Sequence, residues 1–369
     1  MGGEVMSGPW QIGYSFWGFL GPGIADTPDG GRSHRKVLID ALLKDGHDIV
    51  FLQLDRDLAE ARDHIGDDYR FDVGFPDIDI LVLEWRWPIP GRNTTACGRP
   101  GHTCDLHRQD ALVDHYTLDA GVPTVVWDKD LRLPEDHRLR TVSNVQVAEA
   151  ALHARAGAVS LLFPVDDAVL DAADPAALVR YPRSLPLVYV GNQYDRDDAF
   201  DRFFAPPAAT HRHRIVGKWT DTSRWPDLNF TGRIPFAEVA ALYADALATV
   251  LLLPDRYSAI AQVTQRLPEA VLAGCVPITP ATLQAAEHFA PATVHARDGR
   301  EACRRLDHPA AIAGTPAHAE LLADCLRRLE TFRASRQTAT LIDTIDSLTA
   351  HGHRRGAALA LPAKPGDKL

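Results

Sequence analysis

Short, near-continuous apolar runs recur along the chain, each ending in polar or aromatic residues and each followed by a segment with helical spacing. HDIVFLQLD, IDILVLEW (Ile78 to Trp85) and VPTVVWD (Val122 to Asp128) are the runs of the first half, and LVYVGN (Leu187 to Asn192), LATVLLLP and CVPITP those of the second. A strand that is apolar on both sides is buried on both faces, which requires a parallel sheet covered above and below by helices. The pattern therefore predicts an α/β protein, and 369 residues suffice for two such domains.

The aromatic segment Trp10 to Phe19 reads as the first strand, broken by Gly18, Gly21, Pro22 and Gly23. A helix follows from Ser33, a predicted N-cap, with Val37, Leu38, Ala41 and Leu42 at helical spacing and Gly46 as its stop. Further helices are expected around Arg108 to Ala120, Phe236 to Asp245 and Thr264 to Ala273, and further strands at VSLLFP (Val159 to Pro164), HRIVGKW and LNFTGRIP. The Ala-, Asp- and Pro-rich stretch between Asp166 and Pro186 reads as a linker. These signals divide the chain into a first domain over 1–165, a linker over 166–186, a second domain over 187–350 whose last helices cross back, and a loose tail over 351–369.

In such folds ligands bind at the carboxyl ends of the strands, so chemistry is expected just after each run. The first constellation is Asp29-Gly30-Gly31-Arg32-Ser33-His34, where paired glycines admit a close ligand and a helix N-terminus suits a phosphate. Its spacing is not that of a dinucleotide fingerprint, and a tight turn with a Ser cap is the plain alternative. The second is Gln265, Arg266 and Glu269, which offer a cation to a diphosphate and a carboxylate to ribose hydroxyls.

The third constellation comprises Glu84, Trp85 and Arg86 with Trp127, Asp128, Lys129 and Asp130. Indole faces stack on sugar or base rings, and Asp128 is placed to take a proton from an acceptor hydroxyl, unless these side chains pack between the domains. The fourth is Cys97, His102, Cys104 and His107, a set able to make a tetrahedral zinc site but read here as incidental residues of a Gly/Pro-rich surface loop.

Lys plus Arg number 39 against 49 Asp plus Glu, a balance of -10, so no global positive field attracts a polyanion. The five cysteines are scattered and odd in number, which points to a reducing compartment. No basic residue precedes the apolar N-terminal stretch and no long apolar run follows, so the chain reads as cytoplasmic, without a membrane span.

TPDGGRSHRKVLIDALLKDGHDIVFL resembles the opening of family-four-like glycosyltransferases (glycosyl transferases group 1) of the GT-B fold. LVYVGN, HRIVGKW, NFTGRIPFAEVAALYADALATVLLLP and QRLPEAVLAGCVPI follow in the order of that fold's donor-binding domain. The resemblance implies two Rossmann-like domains, a cleft between them and a C-terminal helical segment. It further implies transfer of a sugar from a nucleoside-diphosphate sugar, UDP- or GDP-linked, to an acceptor hydroxyl without a required metal.

By position, Glu269 resembles the family's ribose-binding Glu, and Gly30 with Gly31 the loop near the donor phosphates. Gly191, Arg196, Lys218, Gln265 and Arg266 complete the expected donor site. Ala261 stands where the family has an additional Glu, and Asn192 follows Gly191 where the family has Arg. Glu84, Trp85, Arg86 and Asp130 form the expected acceptor side. His34 and Asp128 are the candidate catalytic residues, and the family pattern implies retention, with His34 orienting a substrate.

The acceptor is a small molecule, a glycan or a modified DNA base, the last using Arg132, Arg138, Arg140 and His211 to Arg214. A nucleotide-binding scaffold without catalysis is the alternative, suggested by Ala261.

Overall fold

The computed structural model describes residues 8–23 and 31–359, with side chains described as far as residue 350. The first sheet is built from β1 (Gln11–Ser15), β2 (Asp48–Phe51), β3 (Arg70–Phe71), β4 (Ile80–Glu84), β5 (Thr124–Asp128), β6 (Val145–Glu149) and β7 (Ala158–Ser160). Its order is β3-β2-β1-β4-β5-β6-β7 and every pairing is parallel, with Ile12 of β1 between Ile49 and Ile80. All five residues of β4 and of β5 are buried, as their apolar composition requires of central strands.

Helix α1 (Arg32–Lys44) covers this sheet with Leu38, Ile39 and Leu42 and stops at Gly46, whose φ of +91° is open to glycine at little cost. Its N-cap is Gly31 rather than Ser33, which lies one residue inside the helix. The expected helix near Arg108 begins earlier, as α2 (Asp105–Leu112), and continues in wider turns to Asp119.

β6 escaped sequence reading because VQVAE carries polar residues in a buried strand. Glu149 is fully buried there because Arg140 and Arg155 bond to it at 2.9 and 2.8 Å. Two other expectations are revised. LNFTGRIP forms no strand beyond one bridge from Phe230 to Ile215, and the expected linker contains two helical turns capped by Asp166 and Asp174.

The second sheet contains β8 (Leu185–Val190), β9 (His213–Val216), β10 (Ala246–Val250), β11 (Val276–Pro280) and β12 (His295–Ala296), in the order β12-β11-β10-β8-β9, again all parallel. Helix α3 (Arg266–Leu272) precedes β11, and α4 (Pro316–Arg328) and α5 (Ala334–Leu359) end the described chain. α5 does not stay with the second sheet. Leu341 and Ile345 are buried in the core of the first, beside Leu38, Leu42 and Val125.

The passage between the two halves is doubled: Val165 receives a bond at its carbonyl from Ala334 N (2.8 Å) and donates one to Phe332 O (2.7 Å). No helix among the described residues is long and apolar enough to cross a membrane.

One buried imidazole makes stability depend on pH. His318, in the first turn of α4, is 1% exposed, and its Nδ1 accepts from Gly314 N at 3.3 Å. Burial, and then the positive charge of Arg183, lower its pKa to about 4. An unfolded histidine titrates near 6.5, so below that pH the unfolded chain gains a proton that the folded chain refuses down to about 4. Its contribution is therefore complete above 6.5 and declines as pH falls toward 4. Urea unfolding at pH 7 and pH 4.5 should show the wild type losing about 1–3 kcal/mol more than His318→Gln across that interval.

Candidate functional site

The carboxyl ends of the two sheets face each other across a cleft of about 400 Å³. On the first-domain side the wall is made by the loop after β1, the start of α1, and the residues after β4 and β5. The second domain supplies the loops after β8 and β9 and the approach to α3.

The floor is held by Glu84 at the end of β4. Its Oε1 accepts from Tyr14 Oη (2.9 Å) and Arg35 Nε (2.8 Å), and its Oε2 from Arg35 Nη2 (2.5 Å) and Lys129 Nζ. Burial works against this charge, but Arg35 and Lys129 outweigh it and hold the carboxyl well below the usual carboxylate range. Glu84 thus differs from the expected acceptor contact, because four internal donors already occupy its oxygens. Arg35 is wholly buried and also donates to the carbonyls of Phe19 and Trp17.

This arginine explains Gly31. A Cβ there would lie 2.2 Å from Arg35 Nη2, so the glycine makes room for the guanidinium. Gly30 lies outside the described residues.

Arg86 is likewise committed within the protein, donating to Ser15 Oγ at 2.8 Å and to the carbonyls of Phe16 and Asp105. Trp85 lines the cleft and meets His137 edge-on at 5.1 Å. Asp130 also lines it, but its Oδ1 accepts from Tyr257 Oη at 2.6 Å, joining the two domains.

Asp128 does not line the cleft. Its oxygens cap the following turn, accepting from Arg132 N (2.9 Å) and Leu133 N (2.8 Å) and from Arg155 (3.1 Å). Burial, only partly offset by those donors, pushes the carboxyl up to about 6. The expectation of a base here is corrected by geometry: the carboxylate is engaged on the fold's side of the turn.

His34 does reach the cleft. It is 1% exposed and packs against Phe163 (4.4 Å between ring centroids) and Trp127 (5.4 Å). Gln265 Nε2, from the second domain, donates to His34 Nδ1, which leaves the proton of the neutral ring on Nε2. Burial, with Lys129 adding to it, keeps the imidazole uncharged at neutral pH.

His34 Nε2 pairs with no described residue, and the same holds for Trp17 Nε1, Trp85 Nε1 and Gln262 Oε1. All four side chains line this one cleft. Buried polar atoms normally find partners, so their concentration here marks a place for a polar ligand.

On the second-domain side Gly191 has φ +159°, and a Cβ on it would lie 2.6 Å from Tyr189 Oη and 2.7 Å from Arg266 Nε. Arg266 donates through Nε to Val190 O at the end of β8. Arg196 is spent on the carbonyls of Leu252, Asn192 and Tyr194, whereas Lys218 is exposed with its Nζ unpaired among the described residues. Glu269 sits beside the start of α1. Burial raises its pKa, while Arg266 and a hydrogen bond from Ser33 work in the other direction. It is not among the residues lining the cleft.

Ala261 is fully buried at φ +56°, and its carbonyl accepts from Leu152 N of the first domain at 3.1 Å. A glutamate here would have to displace the neighbours that bury Ala261.

Comparison with known proteins decides the architecture. Residues 196–338 match a family model described as glycosyl transferase-like. T4 phage BGT, in a structure with UDP and Mn2+, superposes with a TM-score of 0.60 at 13% identity, covering 91% of this chain and 99% of that one. AviGT4, a glycosyltransferase involved in avilamycin A biosynthesis, gives 0.57 at 15% identity, covering 93% and 99%. An alpha-glucosyltransferase solved with UDP and a mismatched 13-mer DNA gives 0.56 at 11% identity, covering 91% and 100%. This is the GT-B fold. No curated protein sequence matches the chain.

Within the GT-B cleft, the sequence had pointed to His34, Arg196, Lys218, Gln265 and Arg266, and the structure brings them around one space, with Gly191 packed behind Arg266 outside that lining. It had not pointed to Arg35, Gln262 or Trp17. A buried arginine in a helix looks like a surface residue until its partner is known, and the partner lies 49 positions away. Gln262 is fully buried and donates to Lys129 O at 2.6 Å, a contact separated by 133 positions.

Removing the negative centre of the GT-B floor leaves two buried cations. Glu84→Gln should therefore lose about 3–5 kcal/mol of stability in urea unfolding at pH 7, and Lys129→Met in the same chain should restore part of it.

Proposed function

We propose that this chain transfers a sugar from a nucleoside-diphosphate sugar to an acceptor hydroxyl, with retention at the anomeric carbon. The observation that carries the reading is the set of unpaired polar atoms on Trp17, Trp85, His34 and Gln262 in a GT-B cleft. Three donors and one acceptor, set among aromatic faces, suit a hydroxyl-rich ring. The diphosphate belongs across the cleft, near Lys218 and Arg266, the latter seated in the space that Gly191 leaves. These cations are placed to stabilise the charge that develops on the leaving phosphate. UDP in the structures of T4 phage BGT and of the alpha-glucosyltransferase favours a uridine nucleotide.

Glu269 takes the ribose in this reading: it stands in α3 a turn after the lining residues Gln265 and Arg266, and its carboxylate must turn from Ser33 toward the cleft to reach the ribose hydroxyls. Glu269→Ala should weaken UDP-sugar binding at least about tenfold, or about 1.4 kcal/mol, by titration calorimetry. Unchanged affinity for a full donor panel would defeat the assignment.

Retention is supported by what the two candidate bases are doing. His34 has its Nδ1 engaged by Gln265 and its proton on Nε2, and Asp128 is capped by backbone donors outside the cleft. In a retaining transfer the acceptor oxygen bonds to the anomeric carbon as its bond to the phosphate oxygen breaks, and the acceptor's proton passes to that phosphate oxygen. His34 then holds a substrate oxygen through Nε2–H. NMR coupling constants should show product and donor with the same anomeric configuration, and His34→Phe should lower kcat about 10–100-fold with the fold intact. An inverted product would overturn this mechanism.

For the acceptor, the charges beside the first sheet favour a small molecule or a glycan over DNA. Arg132, Arg138 and Arg140 are paired with Asp195, Asp114 and Glu149, which leaves little uncompensated positive charge along that side. In the stretch from His211 to Arg214, by contrast, only His211 has an ion pair, with Asp307, among the described residues.

A further inference from the structure

We propose that Cys97, His102, Cys104 and His107 bind one structural zinc ion. They lie in the loop after β4 and the first turn of α2, and their ligand atoms are all within 4.8 Å of one another. Cys97 Sγ is 3.4 Å from His102 Nε2 and 2.9 Å from His107 Nδ1, and His102 Nε2 is 2.8 Å from Cys104 Sγ. Zn–S bonds of about 2.3 Å and Zn–N bonds of about 2.0–2.1 Å place tetrahedral sulfur and nitrogen ligands about 3.5 Å apart. The four groups already form a shell of nearly that size.

Packing does not explain the convergence, because three of the four residues are exposed and the fourth is half-buried. The backbone turns in on itself at Gly98 (φ +76°), Gly101 (φ +82°) and Cys104 (φ +57°), the last an uncommon conformation for a residue with a side chain. His102 is also oriented from behind. Its Nδ1 lies 2.6 Å from Thr95 O, so the ring proton sits there and the Nε2 lone pair points at the thiols, the usual support for a metal-bound histidine.

Two thiolates and two imidazoles are a zinc set rather than a calcium or magnesium set, and four protein ligands close the site against substrate. Binding forms two Zn–S and two Zn–N bonds and releases the two thiol protons to solvent, giving a site of zero net charge.

The metal would fasten one wall of the cleft. Residues 87 and 89–92 at the start of this loop line it, while Cys104 and His107 are the N-cap and third residue of α2. Gln109 of α2 grips Arg86 at both its backbone N (2.8 Å) and O (3.0 Å).

The test is elemental analysis of full-length protein purified under reducing conditions without chelator, followed by cobalt(II) addition to protein stripped of metal. About one zinc per chain is expected in wild type and in the control Cys303→Ser, and less than about 0.1 in Cys97→Ser/Cys104→Ser. Cobalt should give the intense visible bands of a tetrahedral thiolate site in wild type, a readout that needs no variant. Metal removal should speed proteolysis within 88–104 about tenfold. Zinc-free wild type that also fails to give the cobalt spectrum would overturn the proposal, as would full zinc retention in the double variant or a Cys97–Cys104 disulfide in the reduced protein.

Discussion

The carboxylate of Glu84 is the point on which the cleft is assembled. It draws Tyr14 from β1, Arg35 from α1 and Lys129 from beyond β5 to one place. Each partner comes from a different element, so the relative positions of strand, helix and loop are set together. Removing such charges from water is unfavourable, and buried pairs of this kind serve geometry more than net stability. Two cations against one anion also leave the floor with an excess positive charge, which favours an anionic ligand above it. Arg35 extends the same control to the loop after β1, through the carbonyls of Trp17 and Phe19.

A second set of contacts fixes how the halves meet. Asp195 accepts from Arg132 of the first domain and Arg256 of the second, both at 2.7 Å. Gln262 and Gln265 reach across to Lys129 and His34. These polar bonds lie beside an apolar seam, in which Leu162, Leu131 and Leu152 of the first half pack against Leu251, Leu253, Tyr257 and Val263 of the second. The apolar seam holds the halves together, and the polar bonds set their register at the cleft edge.

Both sheets and their main helices were legible in the sequence because buried parallel strands must be apolar throughout. β4 and β5 could hardly have been read otherwise. β6 was not legible, since its burial depends on Arg140 and Arg155 neutralising Glu149, a fact of tertiary contact. The same limit governed the site. His34, Lys218 and Arg266 could be picked out because they follow strands or open helices, where GT-B ligands lie. Glu84, Arg86 and Asp128 were equally well placed, yet their side chains turned to partners the sequence does not reveal. The Cys/His quartet shows the converse. Its spacing looked incidental, and only the turns at Gly98, Gly101 and Cys104 bring the four side chains together.

The crossing of α5 onto the first sheet separates the order of the chain from the order of the domains. Residues 334–350 come late in the sequence but belong to the core that residues 11–15 begin. Exchange of donor-binding halves between two such proteins, whether by recombination or by design, therefore cannot be made with one crossover. It takes two, near Val165 and Arg333, so that the final helix stays with the sheet it covers. A single crossover would join one protein's strands to another's helix, and Leu341 and Ile345 would meet a surface other than the one they fill here.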